Sequence, residues 1–300
     1  MTRVQANLLL LLAGAIWGAG FIAQSTAMET LGPIWFIGLR FAVATLVAVP
    51  FALWEKARAG SPLRPAHVGG FVLTGLALFA AAATQQVGLL TTTVTNSGFL
   101  TGLYVVFTPI LTVVFLRKRP HWVIWPAAAM ATFGIFLLSG GTLEALSLGD
   151  VLTIVCALFW SVQMICVGIF ANRSGRPMAL SALQFAICAV LGCTVGYLFE
   201  PISLEAIKGA GMEILYAGLF SSGIAFIFQN VAQRYTTAPQ AAIFLSSEAL
   251  FAALFGVLLL GETISPAGYL GCAIIFAAML AVELVPELVR TRRAKVAAPG

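Results

Sequence analysis

The sequence predicts an all-α membrane protein in which ten transmembrane helices form two inverted five-helix repeats around a central cavity. Three observations lead there. First, ten apolar runs of about 17 to 24 residues fill the chain: 7–27, 33–54, 68–88, 94–116, 122–139, 150–171, 178–198, 212–233, 239–260 and 266–286. Each is long enough to cross a hydrocarbon core of ~30 Å as a helix. Second, Lys and Arg are sorted by loop. Arg3, Lys56, Arg58, Arg64, Arg117, Lys118, Arg119, Arg173, Arg176, Arg234, Arg290, Arg292, Arg293 and Lys295 fall on one side, and Lys208 alone falls on the other. This asymmetry places both termini in the cytoplasm. Third, residues recur at an offset of 143 or 144: Trp17 with Trp160, Pro33 with Pro177, Arg40 with Gln184, Gly75 with Gly218, Gln86 with Gln229, and Asn96 with Gln240. Such a period divides the chain into two halves.

Composition agrees with lipid as the main solvent. Apolar residues make up 60% of the chain and charged residues 9%, against roughly 25% charged in soluble domains. The runs are continuous and lack the alternation of a membrane barrel. The net charge of +5 is orientation chemistry, since the basic residues are scattered over short segments and form no nucleic-acid surface. The five cysteines all lie in apolar runs without metal-ligand spacing, as expected of buried structural thiols. No metal and no cofactor is expected.

Five helices per half is an odd number, so the second half enters the membrane upside down relative to the first. The repeats are 1–140 and 141–288, followed by a basic cytoplasmic tail, 289–300.

Taken in order, the first run exceeds a signal-peptide core of about 7–15 residues and is read as a retained helix. It carries Trp17 near mid-span, whereas tryptophan usually gathers at the lipid boundary. Its echo "ALFWSVQMICV" in the sixth run carries Trp160 and Gln163, so both indoles are expected to face the cavity. In the second run, Arg40 lies near the outer end, either snorkelling to the interface or serving as a coupling charge. The third run contributes Gln85 and Gln86, one of which must point away from lipid. In the fourth, Ser97, Thr101, Tyr104, Thr108 and Thr112 share one helical face with Asn96 beside it. A water-lined path and a seam of hydroxyls bonded to backbone both fit that face. Pro109 in the same run should bend it, as a passive kink or as a hinge.

In the eighth run Ser222, Gln229 and Gln233 share a face, through cavity lining or interhelical bonding. The ninth holds Glu248 beside Ser246 and Ser247, too deep to snorkel. A proton carrier, a partner for a cationic substrate group and an acceptor for helix-end donors are all open for it. Gly14/Gly18, Gly98/Gly102 and Gly192/Gly196 are small-xxx-small pairs suited to close helix approach.

No catalytic residues emerge. His67 and His121 sit at span ends, Asp150 is the sole aspartate, and no H-E-x-x-H is present. A transporter is therefore expected rather than an enzyme, with a channel or a membrane scaffold as the other alternative.

The segments "GAIWGAGFIA", "ALFWSVQMI", "TNSGFLTGLYVVFTPILTVVF" and "QAAIFLSSEALFAALFGVLLLGETISPAGYLGCAIIFAAML" also carry a resemblance. Over essentially its whole length the chain resembles the EamA family of the drug/metabolite transporter superfamily. The resemblance implies a multi-pass exporter of the bacterial inner membrane, working by alternating access, and is greatest to the YddG-type exporters of aromatic and other neutral amino acids. It departs in two places. Glu248-Ala249 stands where the family often has Glu-Pro, so the ninth helix is expected to bend less. The fourth run ends in "LRKRP", without a counterpart of Gly261-Glu262.

The substrate-binding candidates are Trp17, Gln85, Asn96, Thr101, Tyr104, Trp160, Gln163, Gln229 and Glu248, with Glu248 and Arg40 as coupling candidates and Pro109 as the hinge candidate. Sugar phosphates would need more buried cations than Arg40 alone. Aromatic or quaternary cations, held to the indoles by cation–π attraction of about 2 kcal/mol, and aromatic amino acids both fit; the resemblance favours amino acids. The partners expected are a small-molecule substrate and the lipid bilayer, with monomer and oligomer both open.

Overall fold

The computed structural model describes residues 1–60, 62–92, 94–138, 140, 147–260 and 263–297, without the side chains of 94–96, 256, 259, 260, 287 and 290–297. The side chain of Asn96, the Gly261-Glu262 pair and the side chains of the basic tail thus lie outside the described residues. The described residues are helical throughout, with no strand.

Helices begin where local chemistry tells them to. Thr2 caps α1 (Arg3–Ala27) in a reciprocal box with Gln5, and Ser147 caps α7 (Leu148–Ser174) in the same way with Asp150. Proline, which lacks the N–H that a first turn cannot use, opens α2 (Pro33–Ala57), α3 (Pro65–Gly88) and α8 (Pro177–Phe199). Gly175, at φ 66°, ends α7 in the left-handed conformation that glycine adopts without strain.

Nine helical spans among the described residues are long and apolar enough to cross a bilayer. The fifth predicted run, 122–139, is realised as the shorter α6 (Ile124–Leu138, 15 residues), which reaches only about 22 Å.

Three spans are not single helices. The fourth is α4 (Val94–Thr101) and α5 (Tyr104–Leu116), parted at Gly102 and Leu103. The ninth is α12 (Ala238–Leu245) and α13 (Ser247–Leu260), parted at Ser246. The ninth helix, which lacks a proline after Glu248, is interrupted all the same, at Ser246, with no Pro at the break. The eighth runs as α10 (Gly211–Tyr216), a π-helical segment (Ala217–Ala225) and α11 (Phe226–Ala232), preceded by the short α9 (Leu204–Gly209). The tenth is α14 (Pro266–Ala297).

Packing follows the repeat. Helices α2 and α8, equivalent in the two halves, lie antiparallel and clasp each other at both ends. Glu200, at the end of α8, accepts the N–H groups of Ile34 and Trp35 at 3.0 and 2.9 Å. Glu55, near the end of α2, accepts those of Met178 and Ala179 at 3.2 and 3.0 Å. Each carboxylate thus sits on the positive end of the partner helix and satisfies its orphan donors. Between the clasps, a Cβ on Gly38 would come within 2.6 Å of the Cys193 nitrogen, so the backbones touch. The other equivalent pair, α6 and α14, meets at Gly134 and Gly271 in the same manner. Exchange of the halves also maps the packing of α3 on α7 onto that of the eighth span on α1.

Of the small-residue pairs, Gly14/Gly18 seats α1 on α13 and Gly192/Gly196 seats α8 on α2, while nothing lies within 4 Å of a Cβ placed on Gly98.

Candidate functional site: a central aromatic cavity

The two broken spans meet at the centre. Tyr104 opens α5 and Glu248 lies in the first turn of α13, at equivalent places in the two repeats. The Tyr104 hydroxyl donates to Glu248 Oε1 at 3.3 Å. The hydrogen bond thus joins the first turns of two half-helices, ends whose dipoles favour negative charge.

Beside them lies a cavity of about 40 Å³. Trp17 and Trp160 both line it, with ring centroids 6.1 Å apart. Phe226 joins them, 4.9 Å from Trp17 and stacked on Trp160 at 5.4 Å and 22°. The Trp17 indole N–H donates to the Ser221 carbonyl at 2.9 Å, within the π-helical segment. A π-turn shifts each N–H to the fifth residue back and so redirects carbonyls that an α-helix would use internally. Gly18 brings Glu248 within reach of the indoles: a Cβ there would meet the Glu248 carbonyl at 2.8 Å and the Ala252 nitrogen at 2.7 Å.

Six of the nine substrate-binding candidates line this cavity: Trp17, Gln85, Thr101, Tyr104, Trp160 and Glu248. Gln85 donates to Thr101 at 3.0 Å, tying α3 to α4 across its wall. Two candidates lie elsewhere. Gln163 and Gln229 belong to a buried chain of amides: Gln229 donates to Gln163 and to Gln233, Gln163 to Gln184, and Gln233 to the Met164 carbonyl. Interhelical bonding among α7, α8 and α11, not cavity lining, is their placement. The ninth, Asn96, falls outside the described side chains. Pro109 lies within α5, which runs on through it, while the chain breaks at Gly102 and Leu103.

Arg40 departs most from expectation. It does not snorkel to the interface; it is 5% exposed and lines the cavity. Its guanidinium lies 5.4 Å from the Phe36 ring and 5.1 Å from that of Phe41. No ion pair joins it to Glu248 among the described residues, and its Nε has no hydrogen-bond partner there.

The polar face of the fourth span divides along its length. Thr101 and Tyr104 belong to the cavity, whereas Thr108 and Thr112 return their hydroxyls to the carbonyls of Tyr104 and Thr108 at 2.7 and 2.8 Å. Thr112 also lines a second cavity of about 460 Å³, at the end of the bundle that carries Arg3, Lys118, Arg119 and His121. Met164, whose sulfur lies 3.9 Å from the Thr108 hydroxyl, lines the central cavity. At that end Glu283 pairs with Arg3 at 3.3 Å and accepts from Asn7 and Gln240, fastening α14 to α1 and α12.

Phe226, Phe21, Gln24, Met164 and Ser221 also line the site and stand outside the binding candidates drawn from sequence. Gln24 alone had a signal, an amide in an apolar run. Phe226 is one phenylalanine among 22 and had none.

The model of the EamA-like transporter family matches twice, over residues 4–140 and 147–284. The chain belongs to this family. An uncharacterized transporter of Archaeoglobus fulgidus is 31% identical over 283 residues, covering 94% of this EamA chain and 87% of its own. The uncharacterized transporter YwfM of Bacillus subtilis is 27% identical, with 96% and 97% covered. The uncharacterized inner membrane transporter YedA of Escherichia coli (strain K12) is 24% identical, with 90% and 87% covered. A solved crystal structure superposes with a TM-score of 0.80 at 19% identity, covering 96% of this chain and 99% of that one, which establishes a shared fold. This EamA protein is a multi-pass membrane protein built of two repeated domains, and its relatives are transporters.

Proposed function

We propose that the protein exports neutral amino acids, aromatic and other apolar ones, across the inner membrane by alternating access. The observation that carries this reading is the meeting of Trp17, Trp160 and Phe226 with Tyr104, Gln85 and Glu248 around one cavity. Three aromatic faces suit an apolar side chain, and the polar groups beside them suit a zwitterionic head. The positive-inside pattern supports reading the 460 Å³ chamber as the cytoplasmic one. Solute entering there follows the Thr112–Thr108 face past Met164 to the indoles. At about 40 Å³ the central cavity holds a few waters, far below the ~300 Å³ of an ordinary ligand pocket. Binding therefore requires the halves to part.

Counterflow of labelled amino acids in proteoliposomes tests this. Trp17→Ala and Trp160→Ala should each lower flux about fivefold, from the loss of roughly 1 kcal/mol of stacking beyond burial, with folded yield preserved. Unchanged flux in both variants removes the assigned site; absence of amino-acid counterflow in the wild type removes the substrate class.

A further inference from the structure

The central cavity holds a cation that no carboxylate among the described residues pairs with. Arg40 is buried, lies against two phenylalanine faces, and lines the same cavity as the indole pair, yet forms no ion pair among the described residues and leaves Nε without a partner. The phenyl faces offset part of its charge, but they accept no directional hydrogen bond from its fork of donors. A charge kept in such a place marks a ligand or ion pathway. The planar fork matches a carboxylate with two parallel hydrogen bonds, a geometry an ammonium lacks.

Resting on the reading that this cavity is the substrate site, we propose that Arg40 recognises a carboxylate on the transported solute. The substrate class is then carboxylates with an apolar or aromatic body, zwitterionic α-amino acids among them. Glu248, unpaired to Arg40, is left for the ammonium of a zwitterion, as is the Gln24 Oε1, which also lacks a partner. Organic cations without a carboxylate are excluded: they would face the guanidinium with nothing to neutralise it. Arg40 thereby decides between the two substrate classes that the tryptophans alone admit.

The test uses binding as well as flux. Full-length protein in detergent is titrated with 3-phenylpropionate and with phenethylamine, which share a ring and differ in charge, and ligand-induced thermal stabilisation is read. The wild type should bind the acid at least tenfold more tightly than the amine. Arg40→Gln should lose at least tenfold for the acid and little for the amine, and Arg40→Lys, which keeps the charge but not the fork, should fall between. Should Arg40→Gln not elute as a folded species, Arg40→Lys and the wild-type preference carry the test. Equal binding of acid and amine, no binding of the acid, or an Arg40→Gln that binds it as the wild type does would each overturn the proposal. Counterflow separates the two readings. Acid-selective binding without amino-acid flux sinks the export reading and keeps Arg40; flux without acid preference does the reverse.

Discussion

Residues at the centre of this protein act in pairs drawn from the two repeats. Trp17 and Trp160 are one such pair, and their period in the sequence was enough to predict that they face inward together. Tyr104 and Glu248 are another, 144 residues apart and hydrogen-bonded, yet the equivalence passed unnoticed because tyrosine and glutamate do not look alike. Glu248 lies in the first turn of α13, buried and hydrogen-bonded to Tyr104. A carboxylate at that depth is a candidate for the group whose charge changes during transport. If Glu248 carries the coupled proton, Glu248→Gln should abolish pH-driven uptake of 3-phenylpropionate while leaving its counterflow, which needs neither an ammonium partner nor net proton movement; pH-driven uptake retained in this variant would strip Glu248 of the role. Position along a helix told depth but not direction. Arg40 was therefore readable as a residue near a span end but not as one turned inward, and Gln163 and Gln229 were readable as non-lipid but not as bonded to each other.

At the scale of elements, the decisive features are breaks and clasps. The apolar runs mark every span, because lipid demands helices, but where a span is interrupted depends on neighbours. The breaks at Gly102–Leu103 and Ser246 occur without proline at the break, and the π-helical stretch over Ala217–Ala225 has no sequence period of its own. The carboxylate clasp between α2 and α8 gives a measurable consequence. Glu55→Gln and Glu200→Gln should each cost about 1–2 kcal/mol, the size of a charge-assisted helix-end contact in a partly buried setting, lowering thermal midpoints in detergent. The double variant should lose roughly the sum, because the two sites lie at opposite ends of the helix pair. Close backbone approach gives a second. Gly38→Ala should destabilise by about 1–3 kcal/mol, since its Cβ meets backbone at 2.6 Å, whereas Gly98→Ala, with nothing within 4 Å, should leave the midpoint unchanged. Equal midpoints for both variants would show that α2 and α8 are not so tightly seated.

The whole molecule joins two independent lines on orientation. The clasps bring residue 55 beside 178 and residue 34 beside 200, so the α2–α8 pair has one end bearing Lys56, Arg58 and Arg176 and another bearing Glu200, with Lys208 following. The fold itself thus gathers onto one end the cations that the loop order sorted to one side. Moving many Lys and Arg across a bilayer is costlier than retaining them, so the prediction is that this end is cytoplasmic. Cysteines introduced one at a time at Gly60 and Gly209, both exposed, test this in a background whose five native cysteines are replaced. In intact cells a membrane-impermeant maleimide should label Gly209→Cys and spare Gly60→Cys until the cells are opened. The opposite pattern would turn the molecule over, put the 460 Å³ chamber outside, and make the path past Met164 a route for uptake instead of export.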